Sequence, residues 1–486
     1  MRSFVAAPIV IVLALTATAA AQSSPAPPEN PSSDDEAIRL ELHELRARQR
    51  ELERRLARLA ERHEPAPSPL VLPPPAPPPD ASIPRFRFGK GGFIFSTADG
   101  RTNIRFRAVF NLDGHAYVGD GSPPDTFFIR RARPFIDGTL FDVIDFRIMP
   151  DFAQGTAQLL DGYVELRPFS WLRLRGGRFM VPVGLEWLQK DTTTSFVERS
   201  LATDLVPYRD IGVMLHGDIA DSTLSYQLVI GNGAPDSANA PDYDPQTAKD
   251  YVGRVFVRPL RRTRASDFTD LGFGVAGSYG WVKGTATATS LPTYHSTSTQ
   301  TIFSFITAPA GKATLATADP GAAAGPVMAA GDRWRLTPQA YWYIGPCGFL
   351  AEYVMSTQAV QRGAATADLT ARAWNLTASF VMTLERAAYD GVTPAHPIDF
   401  RHKAFGAWEL VLRYSELRID DAAFPIFADP AVSVHAAREF AGGINWYLTD
   451  YVKLMFSYHR TDFTGGAGAG DRHPENAIMG RLQLAL

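Results

Sequence analysis

The chain has 486 residues, a formal net charge of −3, 11% aromatic residues and a single cysteine, Cys347. A near-neutral balance excludes the global basic excess that collects nucleic acid, and a lone cysteine excludes an internal disulfide framework. The ten histidines are scattered without metal-ligand spacing, and Ser195 has no His and Asp arrangement to activate it, so no metal, cofactor or catalytic group is expected.

The first predicted element is a secretory signal peptide over residues 1–21. It has a positive start at Arg2, an apolar stretch from Val5 to Leu15 and a small-residue exit, Ala19-Ala20-Ala21, before Gln22. The stretch is shorter than the ~20 residues a spanning helix needs. Residues 22–33 are read as disordered. Residues 34–63 then carry Ile38, Leu42, Leu45, Gln49, Leu52, Leu56, Leu59 and His63 at alternating four- and three-residue spacing, with charges between them. That seam predicts a coiled coil in the periplasm, with Asp34, Asp35 and Glu36 favourably placed at the helix N-terminus; a lone amphipathic helix is the alternative. The proline-rich stretch 64–85 predicts a semi-rigid spacer, reaching on the order of 60 Å at polyproline rise.

From 86 to 486 short alternating segments recur. In Ile104-Arg105-Phe106-Arg107-Ala108 the apolar and basic residues fall on opposite faces, and Leu172-Arg173-Leu174-Arg175 repeats the split. A soluble sandwich buries its apolar face, whereas a membrane barrel turns it to lipid and its charges to a wet lumen; periodicity alone does not separate the two. Strand count and loop length do. Strands are predicted near 101–117, 126–138, 142–151, 160–167, 170–178, 208–219, 222–231, 249–259, 268–282, 333–344, 347–357, 371–384, 403–418, 435–447, 450–461 and 476–486. Short turns such as Gly345-Pro346 alternate with long connections such as 179–207, 283–332, 358–370 and 462–475; 385–402 is long on the short-turn side. This pattern predicts a sixteen-stranded antiparallel transmembrane β-barrel with both termini on the periplasmic side. Phe127, Phe128, Trp171, Trp342, Tyr343, Trp446, Tyr447 and Tyr451 lie near strand ends, where aromatic girdles belong. The final strand ends on Leu486 rather than on the aromatic residue usual for such barrels.

Several stretches together carry a resemblance to a family: FFIRRARPFIDGT (127–139), DGYVELRPFSWLRLRGGRFMVPVGLE (161–186), FVERS (196–200), RDIGVMLHG (209–217), GAWELVLRYSEL (406–417) and GGINWYLTDYVKLMFSY (442–458). The chain resembles the phosphate-selective porin O and P family over nearly all of 86–486. The resemblance implies a homotrimeric outer-membrane barrel of a Gram-negative bacterium, whose third long loop, here 179–207, folds into the pore. It implies an anion path over Arg105, Arg130, Arg131 and Asp161, with Glu186, Lys190, Asp191, Glu198 and Arg199 in the loop. This chain departs from the family at the loop lysine, where Trp187 stands and Lys190 follows three residues later.

Charge type agrees with that path. Guanidinium groups keep their charge and present a planar fork to phosphate oxygens, which adds Arg173 and Arg175 as candidate pore residues to the Arg105, Arg130, Arg131, Lys190 and Asp161 that the resemblance implies. The competing reading is that lumenal arginines only keep a pore wet and pair with carboxylates such as Asp137 and Glu165. Arg130 and Arg131 are adjacent, so both face the lumen only with a bulge or at the strand mouth. The function expected is a water-filled, anion-favouring diffusion channel for phosphate or polyphosphate. Alternatives are a general porin, a tether linking outer membrane to cell wall through the coiled coil, and a barrel enzyme, for which no Ser/His pair is visible. Small anions, outer-membrane lipid, copies of itself and the cell wall are the partners expected; nucleic acid is not.

Overall fold

The computed structural model describes residues 33–61, 84–89, 91–119, 123–153, 155–243, 247–263, 266–307 and 325–486. The signal peptide, the segment 22–32 and nearly all of the proline spacer expected above lie outside the described residues. The chain divides into two units, 1–77 and 78–486. In the first, Ser33–Glu61 is one continuous helix. Leu42, Leu45, Leu52 and Leu56 of its seam are exposed.

The second unit is a closed antiparallel barrel of sixteen strands. In chain order they are β1 (Asn103–Tyr117), β2 (Thr126–Leu140), β3 (Ile144–Asp151), β4 (Gln158–Phe169), β5 (Leu172–Met180), β6 (Arg209–Ile219), β7 (Leu224–Gly231), β8 (Asp250–Val257), β9 (Asp270–Lys283), β10 (Met328–Ile344), β11 (Cys347–Arg362), β12 (Ala365–Val381), β13 (Ala407–Arg418), β14 (Val434–Tyr447), β15 (Val452–Ala467) and β16 (Glu475–Ala485). Each pairs with the next, and β16 pairs with β1 through Leu482↔Leu112 and Leu484↔Phe110. Closure satisfies the backbone of every spanning segment without water, which is what lets strands cross a bilayer. Alternation decides the faces: Phe106, Leu174, Leu412, Phe440 and Leu482 are exposed on the outside, while Asn111, Arg413, Glu439 and Arg481 are buried within.

The structure corrects several details. The stretch 358–370 is not a long loop: β11 and β12 continue to a turn at Gly363, with Thr357 and Thr370 hydroxyls 2.9 Å apart across the ladder. β15 likewise runs on to Ala467. Only half of the expected girdle faces outward. Trp342 stacks outside on Phe268 and Trp446 on Trp408, but Tyr343 and Tyr447 are buried inside, because neighbours on a strand point to opposite faces. A hairpin, Arg85–Gly89 with Gly92–Ser96, precedes the barrel and pairs with β1 beyond the end of β16 (Phe93↔Phe106, Ile94↔Arg105). Leu486 exchanges backbone hydrogen bonds with Ala108 at that junction. Phe86, Phe88, Phe93, Phe95 and Phe106 cluster there, with Phe88 stacked on Tyr451 at 6.0 Å.

Candidate anion pathway

The connection from β5 to β6 does not leave the barrel. Its Val183, Leu185, Leu201, Leu205 and Val206 are buried, and much of this segment packs against Val354, Ala371, Ala373 and Leu417 of β11–β13. Its polar backbone is tied to the wall strand by strand. Gln339 donates to the Val183 carbonyl (2.9 Å), the Leu185 and Glu186 amides donate to Glu352 (2.7 and 3.2 Å), and Arg413 donates to the Glu198 carbonyl (2.9 Å). Asn445, Lys453 and Gln483 hold the carbonyls of Ser195, Thr194 and Thr192. The long connection on the short-turn side comes up to meet it: the Tyr389 hydroxyl donates to the Leu185 carbonyl at 2.6 Å. Its length, anomalous for a periplasmic turn, is what reaches that far. With Asn375 of β12 donating to the Glu186 carboxylate at 3.2 Å, side-chain anchors on seven successive strands, β10–β16, leave the segment little freedom, so the lumen is filled beside those strands and open beside β1–β6.

On the open side the arginines stand in front of their carboxylates. Asp137 is shared by three guanidiniums: Arg105 (3.0 Å), Arg147 (3.2 Å) and Arg107. The Asp137 side chain is 4% exposed, against 39% for Arg105, 31% for Arg147 and 24% for Arg107. An ion in the lumen therefore meets N–H donors rather than carboxylate oxygens. Arg147 also approaches Asp161 (3.6 Å), which accepts from Arg209 Nε at 2.8 Å.

The IRRAR segment of β2 supplies the next cations, through an irregularity. Asn111 pairs with Arg131 but Leu112 with Ile129, so Arg130 is the extra residue of a β-bulge. The bulge lets Arg130, Arg131 and Arg133 all reach lumenal carboxylates. Arg130 grips Glu198 with Nε at 2.5 Å and Nη2 at 3.1 Å, Arg131 approaches Asp191 at 3.3 Å, and Arg133 bridges Asp151 (2.6 Å) and Asp191. Arg199 from the inward loop adds a third guanidinium to Asp191, at 2.7 Å. Burial alone pushes the Asp191 carboxyl up, but Arg131, Arg199 and Arg133 overcome it and hold it well below the usual carboxylate range. Glu198 is held low in the same way, chiefly by Arg130.

Two cavities open along this wall. The one toward the long loops has a volume of about 590 Å³, and the one toward the short turns about 500 Å³. Their linings share three residues, Arg133, Asp191 and Arg209, which mark the neck between them. Trp187 sits beside the neck, its ring 3.9 Å from that of Tyr208, with Arg199 and Arg209 guanidiniums at 4.8 and 5.7 Å from it. The tryptophan brings no charge, but it gives two arginines an aromatic face to lie on.

Of the candidates read from sequence, Arg105 and Lys190 line the lower cavity, Arg130 and Arg131 the upper, and Asp161 the lower beside the neck. Lys190 is exposed and pairs with Asp390 at 2.8 Å. Arg173 and Arg175 face inward but stand apart from both cavities. Arg175 is taken up by Glu165 (2.5 Å), which His216 also contacts, and Arg173 lies 3.7 Å from Asp218. Sequence reasoning missed Arg133, Arg147 and Arg209. Arg133 shares the strand face of Arg131, two residues on, and that parity was the available signal; the partners of Arg147 and Arg209 lie on other strands.

Residues 101–486 match the family described as phosphate-selective porin O and P. Porin O of Pseudomonas aeruginosa is 24% identical over 400 residues, covering 76% of this chain and 85% of its own. Among solved structures, in-vitro folded OmpT, an outer-membrane protein of Vibrio cholerae, aligns with a TM-score of 0.51 at 10% identity, over 79% of this chain and 98% of its own. That likeness speaks for the barrel fold.

Proposed function

This chain belongs to the phosphate-selective porin O and P family and is an outer-membrane porin; from that premise we propose that it conducts small anions, with inorganic phosphate or short polyphosphate as the substrates it takes best. The observation that carries the reading is the shared carboxylate: Arg105, Arg107 and Arg147 converge on a buried Asp137 and present their outer edges to the lumen. From there the guanidiniums continue through Arg209 and Arg133 at the neck to Arg131, Arg130 and Arg199. Arg130 is engaged on two prongs by Glu198; the others offer donors at fixed geometry, and successive donors let a phosphate exchange one set of hydrogen bonds for the next. Asp161 and Asp191 orient the forks and keep the binding weak enough to release.

Reversal potentials of the purified protein in planar bilayers, under chloride, phosphate and potassium gradients, test this. The expected result is anion preference, phosphate block of the chloride current, and a shift toward cations in Arg105→Ala/Arg131→Ala. Unchanged permeability ratios in that double variant would remove these residues from the filter.

A tethering role is a second reading, favoured by the exposed seam of the helix. Leu42, Leu45, Leu52 and Leu56 are exposed along the helix, a costly arrangement unless another chain covers them. In this reading a signal peptide over 1–21 is removed, the helix forms a periplasmic three-stranded coiled coil in a homotrimer, and the proline-rich stretch after it spaces it toward the cell wall. Cysteine at position 52 is expected to cross-link copies within one trimer in intact cells; monomers alone would reject it.

A further inference from the structure

The outward faces of β12–β15 carry charges where a bilayer-facing surface is otherwise apolar. Arg372, Arg418, Arg438 and Arg460 are all exposed there, at the long-loop end. The registers place Arg372 opposite Arg418, Glu416 opposite Arg438 and Arg438 opposite Asp462, so the group forms one patch across four strands. Two carboxylates lie within it. Glu416 pairs with Arg418 and stands 3.6 Å from Arg438, and Asp462 pairs with Arg460 at 2.9 Å. Arg372 has no partner among the described residues, and Asp368, the next acid on that face of β12, lies four residues further up. Two further carboxylates, Asp420, which accepts from the Thr370 amide, and Asp421, close enough to act on Arg418, lie beyond Arg418 toward the long loops, so the positive surplus falls on the groove side of the patch, where Arg372, Arg438 and Arg460 face only Glu416 and Asp462.

The height of the patch is set by the strands. Trp408 and Trp446 stack at 4.8 Å on the short-turn side, where an interfacial girdle belongs. From Trp408 to Glu416 is about 26 Å along the strand at ~3.3 Å per residue. Strand tilt reduces this to about 20 Å of depth, close to the ~25 Å apolar band of an outer-membrane barrel. The arginines therefore stand at the outer headgroup level. Directly below them the barrel surface is hollowed: a groove of about 720 Å³ runs past Leu376, Ala378, Leu412, Phe440 and Gly442 up to Arg460. Ala378 and Gly442 give it depth, since a methyl group at Gly442 first meets Leu412 Cδ2 at 3.5 Å.

We propose that this face binds a phosphate-bearing lipid of the outer leaflet, with an acyl chain in the groove and the headgroup phosphates on Arg372, Arg438 and Arg460. Charge complementarity selects the occupant: a neutral lipid leaves the surplus guanidiniums unpaired, and a second copy of the same face brings arginine to arginine. The residues point away from the lumen, so the site is independent of the conduction path.

The test uses the full-length protein in detergent, with bisphosphorylated lipid A and its dephosphorylated counterpart as probes. The wild type is expected to retain the bisphosphorylated form and to bind the other weakly. Arg372→Ala/Arg438→Ala/Arg460→Ala is expected to weaken retention on the order of a hundredfold, with single-channel conductance unchanged as proof of folding. Gly442→Phe, which fills the groove and leaves the arginines in place, is expected to weaken it severalfold. Arg372→Glu alone breaks no contact of the barrel, so its effect reports on headgroup charge even where the triple variant folds poorly. Equal retention of both lipids, or retention untouched by Arg372→Glu, would overturn the proposal. So would Arg460→Cys if it cross-links barrel to barrel.

Discussion

The two sides of the lumen draw on the same residue type and put it to different use. Beside β10–β16, Arg413 is wholly buried, held by Glu439 at 3.0 Å, close to Glu186, and donating to the Glu198 carbonyl. Arg333 and Arg335 lie between Asp236 and Asp250 in a balanced two-against-two set. Beside β1–β6, three guanidiniums share the single carboxylate of Asp137 and keep an exposed edge. A buried arginine must be matched charge for charge, because an unpaired ion in low dielectric is expensive; one with an edge in water need not be. The difference teaches that an arginine's role in this barrel follows from whether the inward loop covers it.

The contrast breaks most visibly at Arg413. Arg413→Ala leaves Glu439 buried with only His459 and the Thr297 hydroxyl beside it, and is expected to cost about 3–5 kcal/mol of stability. Chemical unfolding monitored by heat-modifiable mobility measures this, and a loss below about 1 kcal/mol would show that the packed side is not held by its ion pairs.

Asp204 offers a second break, with a pH signature. It lies in the inward loop and accepts from the His295 amide (2.7 Å) and the Ser237 hydroxyl (2.8 Å), with no arginine to match it. Burial pushes its carboxyl up to about 7. The folded state thus holds this proton more tightly than the unfolded chain. The stability that follows is fully present below about pH 4 and is lost as pH rises to about 7, on the order of 2–4 kcal/mol. Asp204→Asn is expected to flatten the pH dependence of thermal unfolding across that window; an unchanged profile would mean that other groups produce it.

On the open side the effects move from stability to selectivity. Arg133→Ala and Arg209→Ala are each expected to lower phosphate affinity about tenfold, as loss of one charged fork does, while altering stability less than Arg413→Ala. Concentration dependence of phosphate block, read beside unfolding, separates the two quantities. The smallest effect is expected at Lys190. Its pair with Asp390 is exposed on both sides, and such pairs contribute about 0.2–1 kcal/mol. Lys190→Ala should leave reversal potential within a few millivolts of wild type, a shift on the order of one kT of charge energy being excluded by screening. A large shift there would add Lys190 to the residues that set selectivity.

How far the sequence was legible differs by feature. All sixteen strands were readable, because alternation repeats in each and the turns between them carry Gly, Pro, Asp or Ser. The bulge at Arg130 was readable only as a condition, since two adjacent arginines cannot share a face without one. The run from 358 to 370 was misjudged because its Thr and Ala residues look loop-like, yet its neighbours on the ladder extend them as strand. Tyr343 and Tyr447 turn inward because parity along the strand, and not proximity to its end, sets the face a side chain takes. The hairpin 85–96 was passed over because its partner is the first barrel strand, beyond the end of the last.

By itself, the sequence determined the number of strands, the side of the barrel that carries long loops, and which face of each strand is charged, for all of these follow from period-two alternation and local turn chemistry. Only the tertiary structure decided which arginines line a path and which are sealed. That choice depends on pairs formed far apart in the chain, such as Arg130 with Glu198 across 68 residues and Arg481 with Asp113 across 368. It depends too on an inward loop whose anchors come from seven different strands. Such partners become neighbours only when the barrel closes, and burial and shared carboxylates, which set the strength of every charge in the lumen, exist only after that.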